Sequence, residues 1–83
     1  MKVEVTNISS HGFWLLFEDK EYFLSYTDFP WFLDKTIKEI TDVQAVSKTH
    51  FYWDILDIDL SLDMIKNPQK YPLLDKLSQP ETT

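Results

Sequence analysis

The stretch His50–Leu62, with the sequence HFYWDILDIDLSL, decides the fold that we expect of this chain. It begins with aromatic residues, which are enriched in strands, and ends in an alternation of aspartate with aliphatic residues. Because strand side chains alternate between two faces, the aliphatic positions 56, 58 and 60 are predicted to share one face and Asp57 and Asp59 the other. The stretch therefore predicts an extended chain with an apolar face for a core and paired acids in water.

Three further strands are predicted N-terminal to this stretch, at residues 2–8, 13–17 and 21–26, from their apolar alternation. The loops between them are short and polar, so the strands are expected to form an antiparallel meander. The first loop holds the only glycine, Gly12, which we expect to supply a permissive backbone. The middle strand is apolar on both faces and is therefore expected at the centre of its sheet.

Short helices and a second hairpin complete the predicted chain. Thr27 and Asp28 before Pro30 are typical of a capped helical turn, which we expect to lie across the sheet. Thr36 and Glu39 match the capping box, which predicts a helix over about residues 37–41. A hairpin of strands 43–47 and 50–53 follows, and then a helix over 62–66 with Ser61 as its cap.

The order of these elements is β-β-β-α-α-β-β-α, which predicts an α+β domain. We expect one small antiparallel sheet of about five strands with short helices packed on one face. Residues 1–74 are predicted to form this single domain. Residues 75–83 carry little apolar content and are predicted to form a flexible C-terminal tail.

The composition limits the classes of function. The chain has 83 residues, of which 43% are hydrophobic and 16% aromatic, enough for a core in a small domain. It has no cysteine, which excludes disulfides and thiolate metal sites and agrees with a cytoplasmic location. The net charge is -6 and every basic residue is lysine, which argues against direct binding to nucleic acids or to anionic membranes. No stretch approaches the ~18 apolar residues of a membrane span.

Part of the sequence resembles a known family. The segment Tyr52–Ser61, YWDILDIDLS, followed by Met64-Ile65, is similar to the signature of small bacterial proteins called domain of unknown function 2442. That signature is His-Trp-Pro, two residues, Asp-x-Asp-Leu-Ser and a short helix. The N-terminal half is similar too, with Gly12 between two strands and the segment Asp28–Phe32 where the family has an aromatic-proline segment. The positions that mark the family are Trp53, Leu56, Asp57, Asp59, Leu60 and Ser61.

The resemblance covers roughly residues 2–74 and implies a small α+β fold with an antiparallel sheet. The chain departs from the family pattern at Asp54, where the family has proline, and at Lys20, where a turn glycine is common. The family has no assigned reaction. The resemblance implies a component found beside toxin–antitoxin-like partners, and relatives with an added helix-turn-helix leave an accessory transcriptional regulator as an alternative.

The aspartates are the candidates for metal chemistry. Asp57 and Asp59, with Asp54 and Asp63 nearby, supply the oxygen ligands that hard cations prefer, and a metal-dependent hydrolase would use such a cluster. In the structural interpretation Asp59 caps the following helix and Asp57 accepts backbone amides in a turn. Because no known metal-binding motif is present, we favour the structural interpretation and predict no cofactor. His50 is a candidate general base, but no nucleophile motif accompanies it.

The surplus of aromatic residues is the main feature that points to a partner. Most of these residues are expected in the core. An exposed subset would form a patch for another protein, because Trp and Tyr are favoured at the centres of interfaces. The candidates for this patch are Trp14, Trp31, Phe32, Tyr52 and Trp53. The sequence therefore predicts a non-catalytic interaction module that binds a protein, either a basic partner or a second copy of itself.

Overall fold

The N-terminal half forms a three-stranded antiparallel sheet with its most apolar strand in the middle. The structure, a computed structural model, describes residues 1–71. Strand β1 (Val3–Ile8) and strand β3 (Lys20–Ser25) flank strand β2 (Gly12–Phe17), in the order β1-β2-β3. Alternate side chains of β2, from Phe13 onward, are buried. The central position predicted for this strand is therefore confirmed.

A second sheet is built by β4 (Val43–Ser47), β5 (His50–Trp53) and β6 (Ile58–Ser61), in the order β4-β5-β6. The prediction of one sheet of about five strands is therefore wrong, because the described residues form two separate sheets of three strands. Two meanders could join only through their edge strands, and within the described residues neither β1 nor β3 pairs with β4 or β6. The two sheets instead pack through their apolar faces.

The core lies between the sheets and is rich in aromatic rings. Phe17 of β2 and Phe51 of β5 meet edge to face, with ring centroids 4.9 Å apart and planes at 89°. Phe13, Phe32 and Trp53 form a second cluster, in which Phe32 packs 4.9 Å from each of the other two rings. Such edge-to-face pairs are favourable beyond the area that they bury. These contacts join both sheets and the connection between them.

The helical segments are short, and two of them have the caps that the sequence predicts. They are a 3₁₀ turn at Pro30–Phe32, helix α1 at Ile37–Thr41, helix α2 at Leu62–Lys66 and a 3₁₀ turn at Pro68–Lys70. At the start of α1, Thr36 Oγ1 accepts from the Glu39 amide at 3.1 Å, and Glu39 Oε1 accepts from the Thr36 amide at 2.8 Å. At the start of α2, Ser61 Oγ accepts from the Met64 amide at 3.1 Å.

The cap predicted at Thr27 and Asp28 is absent from the 3₁₀ turn, which has no side-chain cap. Asp28 instead interacts backward along the chain. Its amide donates to Ser25 Oγ at 3.1 Å, and Ser25 Oγ lies 3.0 Å from Asp28 Oδ2. This local pairing competes with capping, which is the usual alternative for Asp and Ser near a helix start.

The alternation predicted for residues 56–60 is interrupted by a turn. Residues 54–57 reverse the chain between β5 and β6, and the Asp57 amide donates to the Asp54 carbonyl at 3.2 Å. Asp57 has a φ of 54°, a left-handed conformation that aspartate tolerates better than most residues. Leu56 and Asp57 therefore lie outside β6, and the prediction that Asp57 and Asp59 share one strand face is wrong.

Gly12 is needed for a reason other than the one predicted. Its φ is not positive, so it uses no conformation reserved for glycine. A Cβ at this position would clash with the carbonyl oxygen of Leu24 and lie 2.8 Å from Phe23 Cζ. Positive φ is found instead at non-glycine residues, among them Glu18 (φ 51°) and Asp19 (φ 66°), which form the two-residue turn between β2 and β3.

Residues 72–74 of the predicted domain and the predicted tail at 75–83 lie outside the described residues. Within residues 1–71, no helix is both long enough and apolar enough to cross a membrane.

Candidate functional site

The outer face of the N-terminal sheet, which points away from the core, carries an exposed aromatic pair. Trp14 of β2 and Phe23 of β3 are directly opposite each other across the strands. Their ring centroids are 5.1 Å apart with planes at 47°. Trp14 is 38% exposed and Phe23 39%, although both are large apolar side chains. The chain therefore presents a pair of rings to solvent instead of covering them.

Carboxylates lie on the same face, beside Leu16, which is two positions after Trp14 on β2. Leu16 is flanked by Glu4 of β1 and Glu21 of β3, its cross-strand neighbours. The hydroxyl of Thr6 on β1 donates to Glu21 Oε2 at 3.2 Å. Because β1 and β3 lie on opposite sides of β2, this hydrogen bond reaches across β2. It holds the Glu21 carboxylate over the strand that carries Trp14.

The outer face continues into a shallow cleft of about 330 Å³ at the turn end of the sheet. Its lining residues are Lys2, Glu4, Leu16, Glu18 and Asp19. Three carboxylates face one ammonium group there, so the cleft is acidic. The outer face thus has an aromatic end and an acidic end, both on or next to β2.

The aspartates weighed as weak candidates for a metal site, Asp57 and Asp59, lie next to a tyrosine. The Tyr52 hydroxyl donates to Asp57 Oδ1 at 2.8 Å, and Asp59 is the cross-strand partner of Tyr52. This hydrogen bond raises the pKa of Tyr52, with smaller contributions from burial and from the charges of Asp57, Asp54 and Asp59. The arrangement favours the protonated phenol, and one Asp57 oxygen already has a hydrogen-bond donor.

Asp63, which the sequence places near these candidates, makes its hydrogen bonds elsewhere. Its Oδ1 accepts from Asn67 Nδ2 at 2.9 Å, and its Oδ2 accepts from Lys70 Nζ at 3.1 Å and from the Tyr71 hydroxyl. These donors lower the pKa of Asp63 to about 2, with the Tyr71 hydroxyl as the largest cause. Among residues 1–71 no group of three or more His, Asp or Glu side chains has an arrangement that could hold a metal ion.

The five aromatic candidates occupy different environments. Trp14 is on the outer face, while Trp31 and Tyr52 are half-buried. Phe32 and Trp53 are fully buried, so they belong to the core and present no surface to a partner. His50 Nδ1 lies 3.0 Å from the hydroxyl of its neighbour Thr49.

Phe23 was missed by the sequence reasoning as a member of the exposed patch. The two-residue turn at Glu18 and Asp19 pairs Phe17 with Lys20, and counting back from that pair brings Phe23 opposite Trp14. The strands predicted at 13–17 and 21–26 leave three residues between them, one more than the turn contains. Hairpin register follows from turn length, so the shorter turn is the signal that would have found the pair.

The geometry defines a small two-sheet protein with an aromatic and acidic outer face. The sequence profile described as "Protein of unknown function (DUF2442)" matches residues 2–71. The chain belongs to this family, as the resemblance predicted. A search of the curated proteins and a search of the solved structures each found no significant match. Function must therefore be argued from the outer face itself.

Proposed function

We propose that this protein is a non-catalytic interaction module that binds a basic protein partner through the outer face of its N-terminal sheet. The observation that carries the proposal is the exposed pair of Trp14 and Phe23. Large aromatic side chains contribute strongly to the few contacts that dominate binding energy in interfaces. Exposing two of them side by side favours a partner that covers both.

Charge favours a basic partner over the alternatives. The chain has a net charge of -6, and Glu4 and Glu21 flank Leu16 on the same face as the rings. Complementary charge steers association and disfavours partners of like charge. A second copy would bring the same acids to the same face, and a nucleic acid would bring phosphates. A basic protein, such as a toxin-like neighbour in the cytoplasm, fits the rings and the acids together.

The test is affinity capture from the host with the wild-type chain and a Trp14→Ser, Phe23→Ser double variant. A protein recovered only by the wild type is then purified, and its affinity is measured by calorimetry at low and physiological salt. We expect a basic partner whose binding weakens with salt and is lost in the double variant. Leu33→Ser and Val46→Ser are matched controls, because these apolar residues are 48% and 56% exposed but lie outside the outer face.

Three outcomes would overturn the proposal. One is recovery of the same proteins by the wild type and the double variant, or of none by either. The second is a homodimer in sedimentation that the double variant converts to a monomer, which would make a second copy the occupant. The third is binding of a metal ion. If calorimetric titration with Mg²⁺, Mn²⁺ or Ca²⁺ gives heat, and Asp57→Asn or Asp59→Asn abolishes that heat, a metal-dependent hydrolase is favoured.

A further inference from the structure

The outer face distinguishes two positions along β2. The rings of Trp14 and Phe23 lie at one position, and the acidic cleft around Glu18 lies at the turn end. Glu18 is four positions after Trp14 and follows directly on Phe17, the last residue of β2. The rise of the strand puts the two positions about 10–13 Å apart. Leu16 lies between them, lines the cleft and is half-buried. The face is therefore a linear surface with two chemically different ends.

The aromatic end suits an arginine side chain. A guanidinium group stacks on aromatic faces and is more weakly hydrated than an ammonium group. The Glu21 carboxylate accepts from Thr6 across β2, and its residue pairs with Leu16, two positions from Trp14 on the same face. It therefore offers a negative charge within reach of a cation stacked on Trp14. A ring face and a fixed carboxylate together complement both the plane and the charge of arginine.

The acidic end suits a second basic side chain. Glu4, Glu18 and Asp19 outnumber Lys2 in the lining of the cleft. Exposed ion pairs each contribute little to binding. The acidic end is therefore expected to set the register of a bound segment, and the aromatic end to supply most of its affinity.

We propose that the outer face binds an extended segment of its partner that carries an arginine over Trp14 and Phe23 and a second basic residue four positions away, in the cleft at Glu18. In an extended chain, residues i and i+4 point to the same side and lie about 13 Å apart, close to the separation of the two ends. This inference rests on the proposed function and names the feature of the partner that the face recognises.

The test measures fluorescence anisotropy of labelled short peptides at low salt. One peptide has Arg and Lys at i and i+4, a second has them at i and i+3, and a third has Gln in place of Arg. We expect the affinity of the i+4 peptide to be at least about twofold higher than that of the i+3 peptide. In the i+3 peptide the Arg and Lys side chains point to opposite sides of the extended chain. Replacing Arg by Gln is expected to weaken binding about two- to fivefold.

Variants of the protein locate the peptide. Trp14→Ser is expected to weaken binding at least about fivefold, since it removes the stacking surface. Glu21→Gln keeps an acceptor for Thr6 but removes the charge, and is expected to weaken binding about twofold or more. Asp59→Asn is the matched control, because it removes one exposed acid from the other sheet. It is expected to leave the affinity within error of the wild type.

Equal binding of the i+4 and i+3 peptides, or equal effects of Glu21→Gln and Asp59→Asn, would show charge attraction without recognition and overturn this inference. Absence of binding by every peptide would also overturn it. None of these results overturns the proposed function if capture of a protein by the wild type still requires Trp14 and Phe23. Failure of that capture overturns the proposed function separately.

Discussion

The indole Nε1 of Trp53 donates a hydrogen bond of 2.8 Å to the carbonyl oxygen of Ile40. Trp53 is on β5 and Ile40 is in α1, and their exposed fractions are 0% and 2%. The last carbonyls of a helix have no partner within the helix, so the indole satisfies one that would otherwise be buried without a partner. A helix of five residues is unstable alone, and this bond helps to fix it on the second sheet.

Trp53→Phe is therefore expected to lower the free energy of unfolding by about 2–4 kcal/mol. The change leaves the Ile40 carbonyl without its donor and opens a void beside Phe13 and Phe32. Urea unfolding followed by circular dichroism measures the loss. Trp14→Phe makes the same change at an exposed position and is expected to shift the free energy by at most about 1 kcal/mol. Equal losses in both variants would contradict the assigned role.

Gly12→Ala is expected to lower the free energy of unfolding by about 1–3 kcal/mol. The new methyl group would press on the Leu24 carbonyl oxygen and on the Phe23 ring. Because the oxygen belongs to the backbone, adding Phe23→Ala to this variant is not expected to restore stability. Thermal unfolding of the single and double variants measures both effects. Recovery in the double variant would show that the ring alone makes glycine necessary.

Local signals of the sequence predicted the parts of the fold that local physics controls. The capping box of Thr36 and Glu39 located α1. Apolar alternation located the strand at 43–47, and the aromatic residues after its turn located the strand at 50–53. The number of sheets is not a local property. It depends on how the connection at residues 26–42 carries the chain from β3 to β4, and no residue pattern within either meander encodes that path.

The candidate site was only partly predictable, because the exposure and pairing of its residues are not local properties either. Aromatic residues serve both cores and interfaces, so composition could not separate the exposed Trp14 from the buried Trp53. The positions of Asp57 and Phe23 depend on turns. Asp57 has a left-handed conformation in a turn that contains no glycine, so the sequence has no usual signal for it. Phe23 is opposite Trp14 only if the hairpin turn has two residues.

The turn at Glu18 and Asp19 predicts a conflict between stability and binding. Both residues have positive φ, a conformation that a two-residue hairpin turn satisfies best with Asn-Gly. Glu18→Asn with Asp19→Gly is expected to raise the free energy of unfolding by about 1 kcal/mol. The same variant removes two carboxylates from the acidic cleft and should weaken binding of the i+4 peptide. Urea unfolding and anisotropy measure the two effects, and a lower stability would contradict the conformational argument.

The hydrogen bonds to Asp63 predict how the stability of the protein depends on pH in the acid range. Its pKa is lowered from the ordinary value of 3.8 to about 2, because its carboxylate accepts from Tyr71, Lys70 and Asn67. Because this pKa is lower in the folded state, the ionised carboxylate stabilises the fold at pH values above its ordinary pKa. That contribution is lost as the pH falls from about 4 towards 2. An NMR titration of the Asp63 carboxyl carbon is expected to give a midpoint near the lower value.

Variants separate the causes of this pKa. Tyr71→Phe is expected to raise the pKa of Asp63 more than Lys70→Gln does, because the Tyr71 hydroxyl makes the larger contribution. Asp63→Asn removes the titrating group, so its stability should change less than that of the wild type between these two pH values. If the wild type and Asp63→Asn lose stability in parallel, the hydrogen bonds to Asp63 do not fasten α2 to the 3₁₀ turn that follows it.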